Sequence, residues 1–275
     1  MRLLTYDSGA GPRAGVLRDG QVHDLGGSSL REVLARGKAV ATTTDAVPLA
    51  DVRVLPPITD PGKLICIGLN YRSHAEEAGL EPPETPTFFA KFANALAPDG
   101  SRVPLPAYSG KVDYEAEVAF VIGRPAKDVP EERALDHIAG YTLLNDLSAR
   151  DYQFMTPQWM PGKVFDGSAP CGPALVTPDE AGPHDAIEIE LTLNGELMQS
   201  SSTADLVHSI PALVAYLSGL MTLEPGDIVS TGTPAGVGSV KQPRVWLKPG
   251  DEIEITSPTL GKLRTFVAEP VLSNV

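Results

Sequence analysis

The run Ala116-Glu117-Val118-Ala119-Phe120-Val121-Ile122 limits the fold more than any other segment of the chain. Side chains alternate across a strand. After Glu117 both alternating sets are apolar: Ala116, Val118, Phe120 and Ile122 fill one face, Ala119 and Val121 the other. A strand of this kind needs cover on both sides, so it belongs inside a layered, sheet-based body. The 26 prolines and 26 glycines mark many turns and favour a β-rich body over a helical bundle. With 275 residues the chain can bury a sizeable core, as one large domain or one with a small companion.

Just before the apolar run, Asp113-Tyr114-Glu115-Ala116-Glu117 sets two carboxylates at the mouth of the strand, Glu115 and Glu117 on one side. Two like charges in a dry setting are costly unless something positive lies between them, and a divalent cation meets that need. Paired glutamates are also common on strands without a metal, so spacing alone leaves both readings open. The chain supplies its own contrast. Glu188-Ile189-Glu190 and Asp251-Glu252-Ile253-Glu254-Ile255 have the same spacing but alternate with isoleucine, which reads as a half-buried strand with a solvated face.

A net charge of −13 argues against nucleic acid or an anionic membrane surface as partner. A small anionic substrate stays open if cations gather locally. No apolar run approaches a membrane span and the first residues carry no signal pattern, so the expectation is a cytoplasmic protein. Cys66 and Cys171, set among apolar residues and glycine, read as buried free thiols.

Arg18-Asp19-Gly20-Gln21 is a hairpin signal, and Ser28-Ser29-Leu30 opens a short capped helix through Leu34. The polar run Thr42-Thr43-Thr44-Asp45 and a proline-punctuated connector from Leu55 to Pro61 place a boundary near residue 60. This divides the chain into a small N-terminal domain, 1–60, and a larger one, 61–275. The larger part opens on a buried-looking strand, Lys63 to Leu69, followed by a helical stretch, Ser73 to Gly79, and a proline-rich loop from Glu81 to Pro86 that suits a cover. Further on, a helix is expected over Pro130 to His137, a hairpin through Asn194-Gly195, and a helix over Ser209 to Leu220. Asp146 ends an apolar strand. The glycine-rich loop from Ser230 to Gly238 lacks the Gly-Lys-Ser/Thr of a phosphate loop, and serine-hydrolase and zincin signatures are absent.

In order along the chain come Gly68-Leu69-Asn70-Tyr71 with His74, Asp113-Tyr114-Glu115-Ala116-Glu117, Asn145-Asp146, Ala149-Arg150-Asp151, Gly162-Lys163, and Thr231-Gly232-Thr233-Pro234-Ala235-Gly236. This series resembles the fumarylacetoacetate hydrolase family, in its acylpyruvate hydrolase, hydroxymuconate isomerase and oxaloacetate decarboxylase-like branch. The resemblance implies a β-rich α+β fold, a mixed β-sheet roll with a small N-terminal α/β unit, usually dimeric. It implies Mg²⁺ or Mn²⁺ held by Glu115, Glu117 and Asp146, a choice that suits hard oxygen ligands. It places His74 and Glu77 as a lid dyad that activates water or moves a proton, with Glu76 as another possible partner for the histidine. Lys163 would face the substrate carboxylate or a developing enolate oxygen. Gln153 and Thr233 would contact substrate; Arg150 would do the same or pair with the acidic cluster.

The expected activity is metal-dependent hydrolysis of a carbon–carbon bond in a short 2,4-dioxo acid, through an enolate and His-Glu-activated water. Isomerisation of 5-carboxymethyl-2-hydroxymuconate-type acids and decarboxylation of oxaloacetate are the alternatives on the same site. An inactive small-molecule-binding paralogue is the alternative of another class. His23, His137, His184 and His208 read as structural or surface residues, and Trp159 and Phe165 as packing.

Overall fold

Period-two apolar strands joined by glycine and proline turns assemble into one sheet of 12 strands in the computed structural model, which describes residues 1–27, 29–37 and 46–271. The strands run in the order Ala46–Pro48, Gln21–Asp24, Pro12–Arg18, Arg2–Asp7, Ala169–Val176, Ile138–Asn145, Ala116–Ile122, Ile228–Ser230, Leu64–Gly68, Thr87–Lys91. Arg53–Leu55 and Leu96–Ala97 pair off this path. Most neighbours are antiparallel, but Ile228–Ser230 lies parallel to Leu64–Gly68, so the sheet is mixed. The N-terminal strands continue this sheet, Arg2 opposite Val176 and Leu3 opposite Leu175.

A second sheet of five strands runs Glu196–Ser202, Glu188–Leu193, Glu252–Ser257, Gly261–Ala268, Ser101–Pro104. Here Ile189, Ile253 and Ile255 are buried while Glu188, Glu190 and Glu252 face solvent, the half-buried pattern their alternation predicts. Asp251 departs from it: it is buried in the turn, accepting from Asn194 Nδ2 and Lys248 N at 2.9 Å each. Asp19-Gly20 and Asn194-Gly195 both turn with positive φ at each residue, which closes the two hairpins tightly. Ile210–Leu220 is an α-helix capped by Ser209, whose hydroxyl accepts from Ala212 N. The helix expected over 130–137 is instead a 3₁₀ helix, Glu131–His137, with no side chain capping its start. Ser29 caps the helix Leu30–Ala35; Ser28 and the Thr42–Asp45 run lie outside the described residues.

The strand Ala116–Ile122 is buried at every position and sits between two apolar clusters. Ala116, Val118, Phe120 and Ile122 enter the larger one, Ala119 and Val121 the other. One detail differs from the sequence reading. The strand does not run unbroken from Asp113: Val112–Asp113 pairs separately with Ser148–Ala149, and Tyr114 and Glu115 form the break between the two strands. Asp146 N bonds Glu115 O across that break, at 2.9 Å.

A buried carboxylate and lysine cluster as the candidate active site

Glu117 enters from the central strand, Glu115 from the break before it, and Asp146 from the turn after the neighbouring strand. The antiparallel register Ala116 opposite Asn145 brings these three positions to one end of the sheet. Each offers a carboxylate oxygen, all within 4.8 Å of one another, and all three side chains are buried. A cavity of about 420 Å³ opens over them, walled also by His74, Lys163, Trp159 and Thr233.

Cations hold this acid in place. Lys163 Nζ bridges Glu115 Oε2 and Asp146 Oδ2 at 2.8 Å each. Lys91 Nζ takes the other oxygen of Asp146 at 2.6 Å. Arg150 Nη2 lies 2.7 Å from Glu115 and 2.9 Å from Asp113. Burial pushes the Glu115 carboxyl up, but Arg150 and Lys163 outweigh it and bring the group down to about 2. Burial also opposes the charge on Lys163; Asp146 and Glu115 reverse that and hold the ammonium above its ordinary range. Glu117 moves the other way. Burial, then the charges of Asp146 and Glu115, push it well up, because no cation of the chain pairs with it among the described residues.

With all four carboxylates ionised, Asp113, Glu115, Glu117 and Asp146 face three cations, Lys91, Arg150 and Lys163, and one negative charge is left over (4 − 3), the charge that the rise at Glu117 disfavours. That surplus and the all-oxygen donor set fit a hard divalent cation at Glu115, Glu117 and Asp146.

The glycine-rich loop earns its glycines through backbone N–H groups aimed at carboxylates. Gly232 N donates to Glu117 Oε2 at 3.1 Å, joined there by the Ser230 hydroxyl. Gly238 N and Ser239 N donate to Asp113 at 2.8 and 3.0 Å. Gly236 N donates to Glu77, at 2.9 Å to Oε1. A Cβ at Gly236 would lie 2.0 Å from Met198 O, and its φ is +106°, so only glycine fits. Glu77 in turn lies 3.4 Å from His74 Nδ1, one turn away on the helix Arg72–Ala78. The helix is thus tied to the loop over the cavity, and Glu77 rather than Glu76 faces the histidine.

The structure brings Glu115, Glu117, Asp146, His74, Lys163, Arg150, Gln153 and Thr233 to the wall of one cavity. Several are also committed to the scaffold. Arg150 donates to Asp113 Oδ2 and to Gln153 Oε1 at 2.9 Å each. Thr233 Oγ1 donates to Ala116 O and accepts from Gln199 Nε2. Arg72 donates to Leu206 O at 2.7 Å. Trp159, read from sequence as packing, does stack edge-on against Phe89 but also lines the cavity. Lys91 was not legible: it ends an apolar strand 55 residues from its partner, and nothing local sets it apart. The two cysteines are free and buried, the Cys171 thiol pushed up to about 12 by burial.

Comparison with known proteins adds an independent line. The family described as "Fumarylacetoacetate (FAA) hydrolase C-terminal" matches residues 63–268, and one described as "Rv2993c-like, N-terminal" matches residues 1–57. Oxaloacetate tautomerase fahd2, mitochondrial, of Xenopus laevis is 39% identical over 283 residues, covering 96% of this chain and 89% of that protein. Oxaloacetate tautomerase FAHD2A, mitochondrial, of Homo sapiens is 41% identical over 227 residues, 82% of this chain and 72% of that one. Among solved structures, 5-carboxymethyl-2-hydroxymuconate delta-isomerase from Mycobacterium smegmatis superposes with a TM-score of 0.85 at 37% identity, covering 98% of this chain and 100% of that one. No helix among the described residues is long and apolar enough to cross a membrane. Sequence order, fold and these likenesses agree, and the chain belongs to the fumarylacetoacetate hydrolase family.

Proposed function

We propose that the chain is a divalent-metal-dependent enzyme, using Mg²⁺ or Mn²⁺, that transfers a proton between the keto and enol forms of a short 2-oxo acid. The observation that carries this reading is the buried Glu115, Glu117 and Asp146 group, with Lys163 beside it and His74 on the same cavity wall. Glu115, Glu117 and Asp146 would hold the cation, which would supply Lewis acidity toward a 2-oxo oxygen. Lys163 places a fixed ammonium where negative charge develops on that oxygen. His74, oriented by Glu77, carries the proton to or from C3. In the enol-to-keto direction the enol O–H bond breaks and a C3–H bond forms, so no atom is gained or lost. Gln153 and Thr233 contact the substrate from the wall, while Arg150 holds Glu115 in place. The names borne by the relatives, oxaloacetate tautomerase and hydroxymuconate isomerase, point to this class of proton transfer.

Hydrolytic carbon–carbon cleavage of an acylpyruvate is the second reading, because a histidine with a carboxylate behind it over the same cavity would equally activate a water. Loss of enol absorbance, with products identified by mass, separates the two. Decay without change of mass supports proton transfer; release of pyruvate moves the assignment to hydrolysis, and loss of CO₂ to decarboxylation. If metal-loaded, folded protein binds 2-oxo acids and changes none of them, the chain is a binding paralogue. The same proposal takes residues 1–60 as a small N-terminal domain, 61–275 as the catalytic domain and the working form as a homodimer. Limited proteolysis between the two parts reads the first division; light scattering reads the second.

A further inference from the structure

Two lysines are buried among the described residues, Lys91 and Lys163, each 2% exposed. A buried ammonium is costly unless its partners offset the loss of water. Lys163 lines the cavity and has its part in the proposed reaction. Lys91 does not line the cavity, and nothing in that reaction calls on it. Its Nζ reaches Asp146 Oδ1 at 2.6 Å and Leu147 O at 3.4 Å, so it meets the carboxylate from behind the cavity wall. Among the described residues Asp146 is its one carboxylate partner.

The other two carboxylates of the group are treated alike: each has one oxygen held by a buried donor. Glu115 Oε1 pairs with Arg150 Nη2 at 2.7 Å. Glu117 Oε2 accepts from the Ser230 hydroxyl and from Gly232 N. What remains is one oxygen of each, Asp146 Oδ2, Glu115 Oε2 and Glu117 Oε1. Lys163 donates to the first two, and each keeps a second lone pair for an ion. The number of oxygens on offer decides which ion fits. Mg²⁺ takes roughly six oxygens in a strict octahedron at about 2.1 Å and retains several waters. Ca²⁺ is larger, takes up to about eight, and gains by drawing both oxygens of one carboxylate to itself. Three carboxylates that give one oxygen each suit the smaller ion. To take both oxygens of Asp146, Ca²⁺ would have to approach Oδ1 against the charge of the Lys91 ammonium.

We infer that Lys91 is a metal-selecting residue: it ties up Asp146 Oδ1, confines Asp146 to coordination through one oxygen, and so biases the site toward a small six-coordinate ion and against Ca²⁺. This rests on the reading of Glu115, Glu117 and Asp146 as the metal site. Lys91 acts through Asp146 as a positioning residue and takes no part in the proton transfer.

Calorimetric titration of metal-stripped protein with Mg²⁺ alone and with Ca²⁺ alone reads this selection without turnover. The wild type should bind Mg²⁺ more tightly than Ca²⁺. Lys91→Met keeps an unbranched side chain of similar length and removes the charge. Loss of a positive charge tightens both ions, so the ratio of their Kd values is the readout, not either value by itself. That ratio should move about tenfold in favour of Ca²⁺, the lower end of what outer hydrogen-bond partners contribute at metal sites. Lys91→Arg, which keeps a cation beside Oδ1, should return it toward the wild-type ratio. An unchanged ratio in Lys91→Met protein that melts cooperatively overturns the inference. So does tighter binding of Ca²⁺ than of Mg²⁺ by the wild type, a result that needs no variant. Asp146→Asn separates the inference from the reading beneath it. Undiminished Mg²⁺ binding in that variant defeats the metal site and the inference together. Mg²⁺ binding lost there, with the ratio unmoved in Lys91→Met, defeats the inference alone. A ratio that moves as expected in protein that transfers no proton on any 2-oxo acid supports the inference and defeats the proposed reaction alone.

Discussion

At the scale of single residues, the site is organised by unequal treatment of like groups. Glu115 has two cations within 2.8 Å and stays ionised, whereas Glu117 has hydroxyl and backbone donors only and is pushed up by burial and then by its neighbours' charges. An added divalent cation relieves that imbalance, so it should stabilise the fold. At a concentration of 100 times its Kd the gain is about 2.7 kcal/mol, read as a rise of several degrees in melting temperature. Asp146→Asn should abolish most of that rise; an undiminished Mg²⁺ or Mn²⁺ shift in the variant would remove Asp146 from the metal site. A second charge effect lies far from the cavity. Asp24 is held at about 2, against an ordinary value of 3.8, chiefly by its hydrogen bonds with Arg13 and against the opposing effect of burial. A depressed carboxyl stabilises the fold above its unfolded value, and that contribution is lost as pH falls through the folded one. Urea midpoints should therefore drop between pH 5 and pH 2 by less in Asp24→Asn than in the wild type; equal drops would deny the pair this role.

At the scale of elements, the glycine-rich loop Thr231–Gly238 is the part that joins the others. Its N–H groups reach the central strand through Glu117, the short strand Val112–Asp113 through Asp113, and the helix Arg72–Ala78 through Glu77. Gly236→Ala should therefore unseat Glu77, because the new methyl meets Met198 O and the backbone must leave its positive φ. The expected result is a fall of about tenfold or more in kcat with metal binding kept; unchanged kcat would separate the loop from the His74–Glu77 pair.

The loop also marks the limit of what the sequence discloses. The missing Gly-Lys-Ser/Thr excluded a phosphate loop, yet nothing in the sequence disclosed that carboxylates of the chain itself are the anions the loop binds. By contrast, the two faces of Ala116–Ile122 and the Asp19-Gly20 and Asn194-Gly195 hairpins follow from local rules of alternation and turn chemistry. Lys91 escaped because its meaning lies in Asp146, which stands opposite it across the fold, and periodicity reports only local faces. The order of motifs found Glu115, Glu117, Asp146, His74 and Lys163 as a set, and the fold gathers them around one cavity.

At the scale of the molecule, the large sheet ends on the strand Thr87–Lys91, where Phe88 and Phe92 are exposed at 38% and 53%. An open edge carrying aromatic side chains is a surface that association would cover. If the proposed homodimer uses it, light scattering should report twice the 29.1 kDa chain, and Phe92→Arg should shift the species toward monomer. A wild-type monomer at micromolar concentration would refute the dimer. The central claim concerns the cavity, and hydrogen exchange at C3 of a 2-oxo acid in D₂O, followed by NMR with the Mg²⁺-loaded protein, tests it most directly. Rapid deuterium uptake at C3 with the carbon skeleton intact, lost in His74→Ala and on chelation, is the predicted result. Cleavage of the skeleton without exchange, or no exchange by protein that binds both metal and acid, would contradict it.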